Sequence, residues 1–344
     1  MVDVHDITDA SDALGRADAL EAAGRPVEAI LLLTDANRRR RDPTVEARLV
    51  DLRHRAFETL GRAAPGNLPA SVTASTDAPG PLGELTADEL CTASLRAGLA
   101  RHGCVLVRGL IGPERADQLA RGIDRALAGF DASETVPGAE TAPWYVPFTP
   151  LPGKYQIVGR RNWVRASGAV WTVDSPRMLF ELTELADETG IADLVTDYLG
   201  ERPALSANKC TLRRVPVDTA TNWHQDGAFL GAEVRTLNLW LALSAVDGDS
   251  PGLEIVPRRF DTLLPTGTEG AMFDWSVSPK LVEEVAATAP VLCPHFAAGD
   301  ALLFDHMFLH RTAAGPGMSR ERYAMENWFF APSAYPDGQI PILL

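Results

Sequence analysis

The chain has 344 residues, 46% hydrophobic and 23% charged, with a mean hydropathy of −0.05, the balance of a globular protein long enough to bury a large core. Its formal net charge of −14 and pI near 5.0 exclude an extended nucleic-acid surface, which needs clustered lysine and arginine. The N-terminus, Met-Val-Asp-Val-His-Asp, has neither the basic start nor the apolar stretch of a secretory signal, and no apolar run nears the roughly 20 residues of a membrane span, so a cytoplasmic location is expected. Cys91, Cys104, Cys210 and Cys293 are scattered without any CxxC pair, which reads as free, mostly buried thiols rather than a zinc site.

In chain order, Thr8 to Leu60 reads as helix. Leu14, Ala17, Leu20 and Ala23 recur at helical spacing, Gly24-Arg25-Pro26 breaks the run, and Val27, Ile30, Leu31 and Leu33 resume it. A third helix starts near Pro43-Thr44. The pattern Ala-Gly-Arg-Pro-x-Glu-Ala-Ile looks like a tetratricopeptide-type hairpin in a single copy, short of a solenoid. Residues 1–62 are therefore expected as a helical extension, packed on the rest of the chain or forming a homodimer. The basic run Arg38 to Arg41 reads as a solvated helix end, and His54 as a surface or packing residue. Residues 63–84, rich in Pro, Gly, Ser and Thr, have the composition of a linker.

From 85 to 344 helices come first, at Ala87 to His102, Pro113 to Ala128 and Met178 to Leu199, and strands follow after Ala204. That order predicts an α+β domain whose strand count suits a jelly roll. The segment Trp144 to Trp171 combines six aromatics with Lys154, Arg160, Arg161 and Arg165. It reads equally as a lid over a substrate or as a loop packed on the barrel. Lys209, Arg213 and Arg214, on the strand before the next motif, are open to a role in holding an anionic group, with surface charges on a strand as the default reading.

Asn222-Trp223-His224-Gln225-Asp226-Gly227 holds an HxD pair. On an extended strand, residues two apart share a face, so His224 and Asp226 can reach one metal ion together. Far downstream, Gly299-Asp300-Ala301-Leu302-Leu303-Phe304 runs into Leu309-His310-Arg311-Thr312. Two histidines and one carboxylate make the facial triad of non-haem iron oxygenases, whose open positions admit a chelating 2-oxo acid and dioxygen. The remote carboxylate of such an acid needs a buried cation. Arg322, on the strand-like run Arg322 to Phe330, offers the planar fork, with small Ala324 two residues along. His306 competes with His310 as ligand, and Arg320 with Arg322.

The order HxD, Leu237-Asn238-Leu239-Trp240-Leu241-Ala242-Leu243, Ser250-Pro251-Gly252-Leu253-Glu254-Ile255-Val256-Pro257, GD…F…LH and R-x-A resembles the phytanoyl-CoA dioxygenase family of Fe(II)/2-oxoglutarate-dependent oxygenases. The resemblance spans roughly Leu85 to Ser333, including the helix, strand and helix around Gly103 to Leu110. It implies a double-stranded β-helix (cupin-like jelly roll) with flanking helices. It also implies His224, Asp226 and His310 as iron ligands, Arg322 and Thr312 on the far carboxylate of 2-oxoglutarate, and Trp240 beside the cosubstrate. The family spacing of the ligand, eleven residues after the Gly of GD, selects His310 over His306. The loop Ala313 to Arg320 is one residue longer than the family pattern, and R-x-A selects Arg322.

The function so implied is a dioxygenase using Fe(II), 2-oxoglutarate and O2 to hydroxylate an unactivated C–H bond of a small metabolite, releasing succinate and CO2. Desaturation, epoxidation and ring closure share that chemistry, whereas halogenation requires the carboxylate ligand to be lost and Asp226 is present. A cupin-type metal enzyme without 2-oxoglutarate would leave Arg322 and Thr312 without a task, and a binding protein working through its N-terminal helices would be marked by a lost metal ligand, whereas all three are present. Neither nucleic acid nor membrane is expected as a partner.

Overall fold

The computed structural model describes residues 9–60, 69–75, 82–136, 138–155 and 161–344. Three helices open it: α1 (Ala10–Ala22), α2 (Pro26–Arg39) and α3 (Pro43–Leu60). Pro26 and Pro43 start their helices, where a missing N–H costs nothing. Ala13, Ala17, Ile30, Leu33, Val45, Leu49 and Leu52 close a small core of their own, to which Phe180 and Leu343 of the main body contribute.

This layer docks on its own chain. Arg38 bonds Glu184 at 2.8 and 2.9 Å and Asp187 at 2.7 Å, and Arg41 bonds Glu181 at 2.8 Å. The basic run is the exposed end of α2, as expected, but two of its four arginines, Arg38 and Arg41, also dock it on the main body. Arg177 Nε donates to the buried Glu46 at 2.6 Å, and Arg53 Nη1 to the Leu343 carbonyl at 2.9 Å. His54, fully buried, lies 2.8 Å from the Pro341 carbonyl through Nδ1 and accepts from the Leu151 N–H through Nε2 at 3.1 Å. That pair of contacts fixes the neutral Nδ1–H tautomer, and burial holds its pKa below the ordinary value, partly offset by the Pro341 carbonyl. Within the linker region, residues 69–75 are pinned by Arg235, Arg96 and Arg259, which donate to the carbonyls of Pro69, Ala70 and Val72.

The body then runs β1 (Glu84–Thr86), α4 (Thr92–His102), β2 (Cys104–Arg108), α5 (Pro113–Ala132), α6 (Gly138–Thr141), α7 (Asn162–Ala166), β3 (Ala169–Trp171), α8 (Pro176–Glu188), α9 (Ile191–Leu199), β4 (Ala204–Ser206), β5 (Thr211–Val215), α10 (Gly227–Leu230) and β6 (Thr236–Ala242). It ends with β7 (Gly252–Ile255), α11 (Pro279–Ala286), β8 (Ala301–Phe304), β9 (His310–Ala313), β10 (Arg322–Phe330) and β11 (Pro341–Leu343). The expected single helix Met178 to Leu199 is two helices, because Gly190 takes a φ of +70° between them. The helix expected from Ala87 begins at Thr92, after a short 3-10 turn at Ala87–Glu89.

Among the described residues nine strands join one sheet in the order β1-β2-β8-β6-β10-β4-β11, with β5 bridging β10 and β3; β7 and β9 form a separate antiparallel pair. The fold is mixed α+β, with helices segregated from a mostly antiparallel sheet. All seven residues of β6 are buried, as its central place requires. The Gly299-Asp300 motif sets the entry to β8. At φ +98°, a Cβ on Gly299 would lie 2.1 Å from the Ile111 carbonyl oxygen. Asp300 accepts from the N–H groups of Gly109 and Ala297 at 2.8 and 2.9 Å and from Arg108 at 2.6 Å. No helix among the described residues is long and apolar enough to cross a membrane.

Candidate metal centre

The HxD pair is not on a regular strand. His224 makes a single antiparallel bridge to His310, their backbone N–H and C=O groups exchanging bonds of 3.1 Å. Asp226 already has helical backbone angles (φ −62°, ψ −23°) and leads into α10. Gln225, between them, points away and clamps the turn: its amide donates to the Met307 carbonyl at 2.7 Å, and its oxygen accepts from the Leu264 N–H at 2.7 Å. Gly227 allows the close approach, since a Cβ there would meet Leu263 at 2.6 Å and the His306 carbonyl at 3.2 Å.

The outcome is a compact cluster. One ligand atom each from His224, Asp226 and His310 lies within 4.8 Å of the others. His224 Nε2 is 4.0 Å from Asp226 Oδ1 and His310 Nε2 is 3.8 Å from Asp226 Oδ2, spacing that lets one first-row ion sit about 2.0–2.2 Å from each. Each imidazole uses Nδ1 on a carbonyl, His224 on Asn222 at 2.7 Å and His310 on Phe308 at 3.1 Å. A carbonyl only accepts, so Nδ1 carries the proton and Nε2 keeps its lone pair for a metal. Burial, reinforced by the neighbouring His310, pushes the His224 pKa down to about 4 despite the opposing pull of Asp226, so at neutral pH it is an unprotonated ligand.

His306 is outside the cluster, with Nε2 on the Ala232 carbonyl at 3.1 Å. Its part is the backbone oxygen that receives the Gly227 N–H at 2.8 Å. Arg320 is exposed and tied to Asp247 and Asp249, far from any cosubstrate role.

Beside the cluster lies a cavity of about 110 Å³, bounded by Arg213, Thr221, Asn238, Trp240, Leu253, Phe304, Thr312, Glu326 and Trp328 together with the three ligands. Trp240 and Thr312 are thus cavity walls. Arg322 is not; it is fully buried beside Trp240, with its guanidinium carbon 5.3 Å from the Trp240 ring centre. Nη1 donates to the Pro251 carbonyl at 3.0 Å, whereas Nε and Nη2 have no partner. Burial, and then Arg213, push its pKa down to about 9, with Glu326 acting in the opposite sense. The Nε–Nη2 edge is the one that carries two parallel N–H bonds to a carboxylate, so the orphaned edge fits a bidentate acid. Trp240 Nε1 and Asn238 Oδ1 are likewise buried without partners.

Three features of the site escaped the sequence reading. Arg213 points inward, not to the surface, and Nη1 donates to Glu326 at 2.7 Å, with Thr211 Oγ1 on the other oxygen at 3.0 Å. Burial works against the Glu326 charge, but Arg213, Arg322 and Thr211 outweigh it and hold the carboxylate below its usual range. The signal was the alternation Arg322, Ala324, Glu326, Trp328, which shares one face of β10. Lys209 lays its ammonium 3.6 Å from the Phe229 ring centre, and burial lowers its pKa against the pull of Asp226 and Glu326. Trp275 sits edge-on to His224 at 5.6 Å. By contrast, most of the described part of Trp144 to Trp171 packs away from the cluster: Tyr145, Phe148 and Trp171 are in the main core, Arg161 pairs with Asp174 at 3.0 Å, and Arg165 with Asp131 at 2.7 Å, whereas Trp163 is 63% exposed. Arg160 lies outside the described residues.

The profile of the phytanoyl-CoA dioxygenase (PhyH) family matches residues 99–320, well over half of the sequence. The chain belongs to that family, and so to the iron- and 2-oxoglutarate-dependent oxygenases, a class of oxidoreductases. No curated protein sequence matches it. Among solved structures it is similar in fold to EctD from S. alaskensis with bound Fe, at 16% identity and a TM-score of 0.53, over 80% of this chain and 85% of that one. EctD from the same organism with 2-oxoglutarate and 5-hydroxyectoine matches at 16% identity and a TM-score of 0.52, over 80% and 89%. The epimerase SnoN, in complex with Fe3+, alpha ketoglutarate and nogalamycin RO, matches at 18% identity and 0.45, over 70% and 83%.

Proposed function

We propose that the protein is a dioxygenase that binds Fe(II) through His224, Asp226 and His310 and uses 2-oxoglutarate and O2 to oxidise a C–H bond of a small organic metabolite, most simply by hydroxylation. In this reading 1–62 is a helical extension, 63–84 a connecting strap and 85–344 the oxygenase domain, a double-stranded β-helix whose minor sheet is the short β7–β9 pair. The setting is cytoplasmic.

The observation that carries the reading is the unpartnered Nε–Nη2 edge of Arg322 close to a His/Asp/His cluster. Leaving a buried guanidinium edge empty costs about 1–3 kcal/mol or more, and a metal enzyme without a diacid cosubstrate would have no use for it. Iron and cosubstrate would together supply the oxidising power. The chain's own residues bind and aim. The Nδ1–H bonds to Asn222 and Phe308 hold both imidazoles with Nε2 toward the ion. Gln225 fixes the turn that sets Asp226 against them. Arg322 takes the far carboxylate, Thr312 adds a hydroxyl to it, and Trp240, a wall of the cavity next to Arg322, lies beside the diacid. Phe304, Leu253 and Trp328 keep water out of the cavity.

Arg213 carries a second reading of the cosubstrate partner, because it lines the cavity directly and its Nε is also unpartnered. Its Nη1 is already committed to Glu326, which leaves the freer fork to Arg322. The test of the function is succinate formation from 2-oxoglutarate under air with added Fe(II). Succinate is expected from the wild type and not from His310→Ala; its absence from the wild type, even with broad substrate mixtures, would refute the reading.

A further inference from the structure

A cavity of about 110 Å³ falls well short of the roughly 300–1,000 Å³ that encloses a drug-sized ligand. Once a five-carbon diacid lies in it, an organic substrate must be held at the mouth. We take the surface against the His224 ring, next to that cavity, as its mouth; it has two unusual properties.

The first is aromatic. Phe229, in the turn just after Asp226, is 40% exposed and its ring stacks toward His224 at 6.1 Å. Trp275 meets both rings edge-on, at 5.6 and 6.2 Å, and carries Phe273 stacked on it at 5.1 Å with planes only 8° apart. Phe273 and its neighbour Met272 are 47% and 72% exposed. Large apolar side chains gathered in the open beside two metal ligands are a binding surface rather than a packing accident.

The second is a cation without an anion. Apart from Arg322, whose empty edge is assigned above to the cosubstrate, the other cations around the site are matched: Arg213 by Glu326, Arg311 by Glu254, Arg214 by Asp124 and Glu321. Lys209 has no carboxylate within ion-pair distance among the described residues; its ammonium rests on the Phe229 face. A ring face holds the ammonium in place without neutralising it. On a chain of net charge −14 a local positive centre at the mouth is what draws in an anion.

Resting on the oxygenase reading above, we propose that Lys209 and the shelf of Phe229, Phe273 and Trp275 form the substrate subsite, and that the substrate is a carboxylate carried on a flat apolar ring system. The carboxylate meets Lys209, the ring lies on the shelf, and the bond to be oxidised is thereby turned toward the open side of His224.

The test is anaerobic calorimetric titration with 2-naphthoate and with its uncharged analogue 2-naphthamide, on protein saturated with Fe(II) and 2-oxoglutarate and again on metal-free protein. The wild type should bind naphthoate at least tenfold more tightly than naphthamide. Lys209→Met, which keeps the apolar stem, should erase that difference while leaving 2-oxoglutarate affinity within twofold. Phe229→Leu should weaken both probes. Equal binding of the two probes by the wild type, or binding of neither, would overturn the proposal. So would a Lys209→Met protein that loses 2-oxoglutarate along with naphthoate, since the cation would then serve the cosubstrate. Failure of 2-oxoglutarate binding in the wild type would instead strike the oxygenase reading, with the metal-free titrations still reporting on Lys209.

Discussion

The helical layer at the N-terminus and the cavity beside the metal ligands are both buried regions rich in charge, and they treat that charge in opposite ways. Where α2 and α3 meet α8 and the C-terminal strand, most charged and polar groups find partners inside the chain: Arg38 with Glu184 and Asp187, Arg177 with Glu46 Oε1, His54 between Pro341 and Leu151; Glu46 Oε2 and Thr34 Oγ1 are the exceptions among the described residues. Around the cavity, Arg322, Arg213, Trp240 and Asn238 each keep a buried polar atom unsatisfied. Buried polar groups are ordinarily hydrogen-bonded, so the first pattern is what stability produces; the second differs in gathering several unsatisfied atoms around one cavity, where others such as Arg115 Nε and His102 Nδ1 are scattered, and that clustering is what the proposed cosubstrate would relieve.

The sharpest way to break this contrast is at the ligands. His310→Ala or Asp226→Ala should lower Fe(II) affinity, measured by anaerobic titration, by more than the roughly 10–100-fold that follows loss of an outer partner of a metal ligand. Next is a variant whose two effects have opposite signs. Arg322→Met should weaken 2-oxoglutarate by about 100-fold or more, yet raise the stability of the ligand-free protein by about 1–3 kcal/mol in urea denaturation, because an unsatisfied buried cation is replaced by an apolar chain of similar length. A structural arginine would give the reverse sign.

In the helical layer the signs are conventional. His54→Ala should cost about 1–3 kcal/mol and leave Fe(II) affinity unchanged. Its pH dependence follows from a pKa depressed by burial: the folded imidazole stays neutral while the unfolded chain takes up a proton near pH 6.5. Its contribution is therefore complete above about pH 6.5 and lost as pH falls through that value toward the depressed one, and His54→Gln should flatten the stability slope just below about pH 6.5. Smallest is Arg38→Ala. Its side chain is 42% exposed, so screening leaves less than about 1 kcal/mol despite its several short contacts.

The same contrast explains what could be read from sequence. The His/Asp/His cluster was legible because HxD and a distal histidine are local, chemically distinctive motifs, and the strand Arg322 to Phe330 because it is one continuous, largely apolar run. The turn geometry of Asp226 was not, since two residues sharing a strand face and two residues flanking a helical turn give the same sequence spacing. The inward turn of Arg213 was hidden because its partner Glu326 lies 113 residues away, and two charges that neutralise each other across a sheet look like two surface charges when read along the chain. Lys209 and Trp275 come together with His224 only through the tertiary fold. For the same reason Arg38 to Arg41 read as solvated: the acids that receive two of them sit on α8, about 140 residues on.

The most direct measurement is the visible charge-transfer band of an Fe(II)–2-oxoglutarate chelate, titrated anaerobically in the wild type, Arg322→Met and Arg213→Met. A band that requires both components, and whose half-saturation by 2-oxoglutarate rises about 100-fold in Arg322→Met but much less in Arg213→Met, is the expected result. An unchanged half-saturation in Arg322→Met would contradict the assignment of its empty edge to the cosubstrate, and no band in the wild type would contradict the oxygenase site itself.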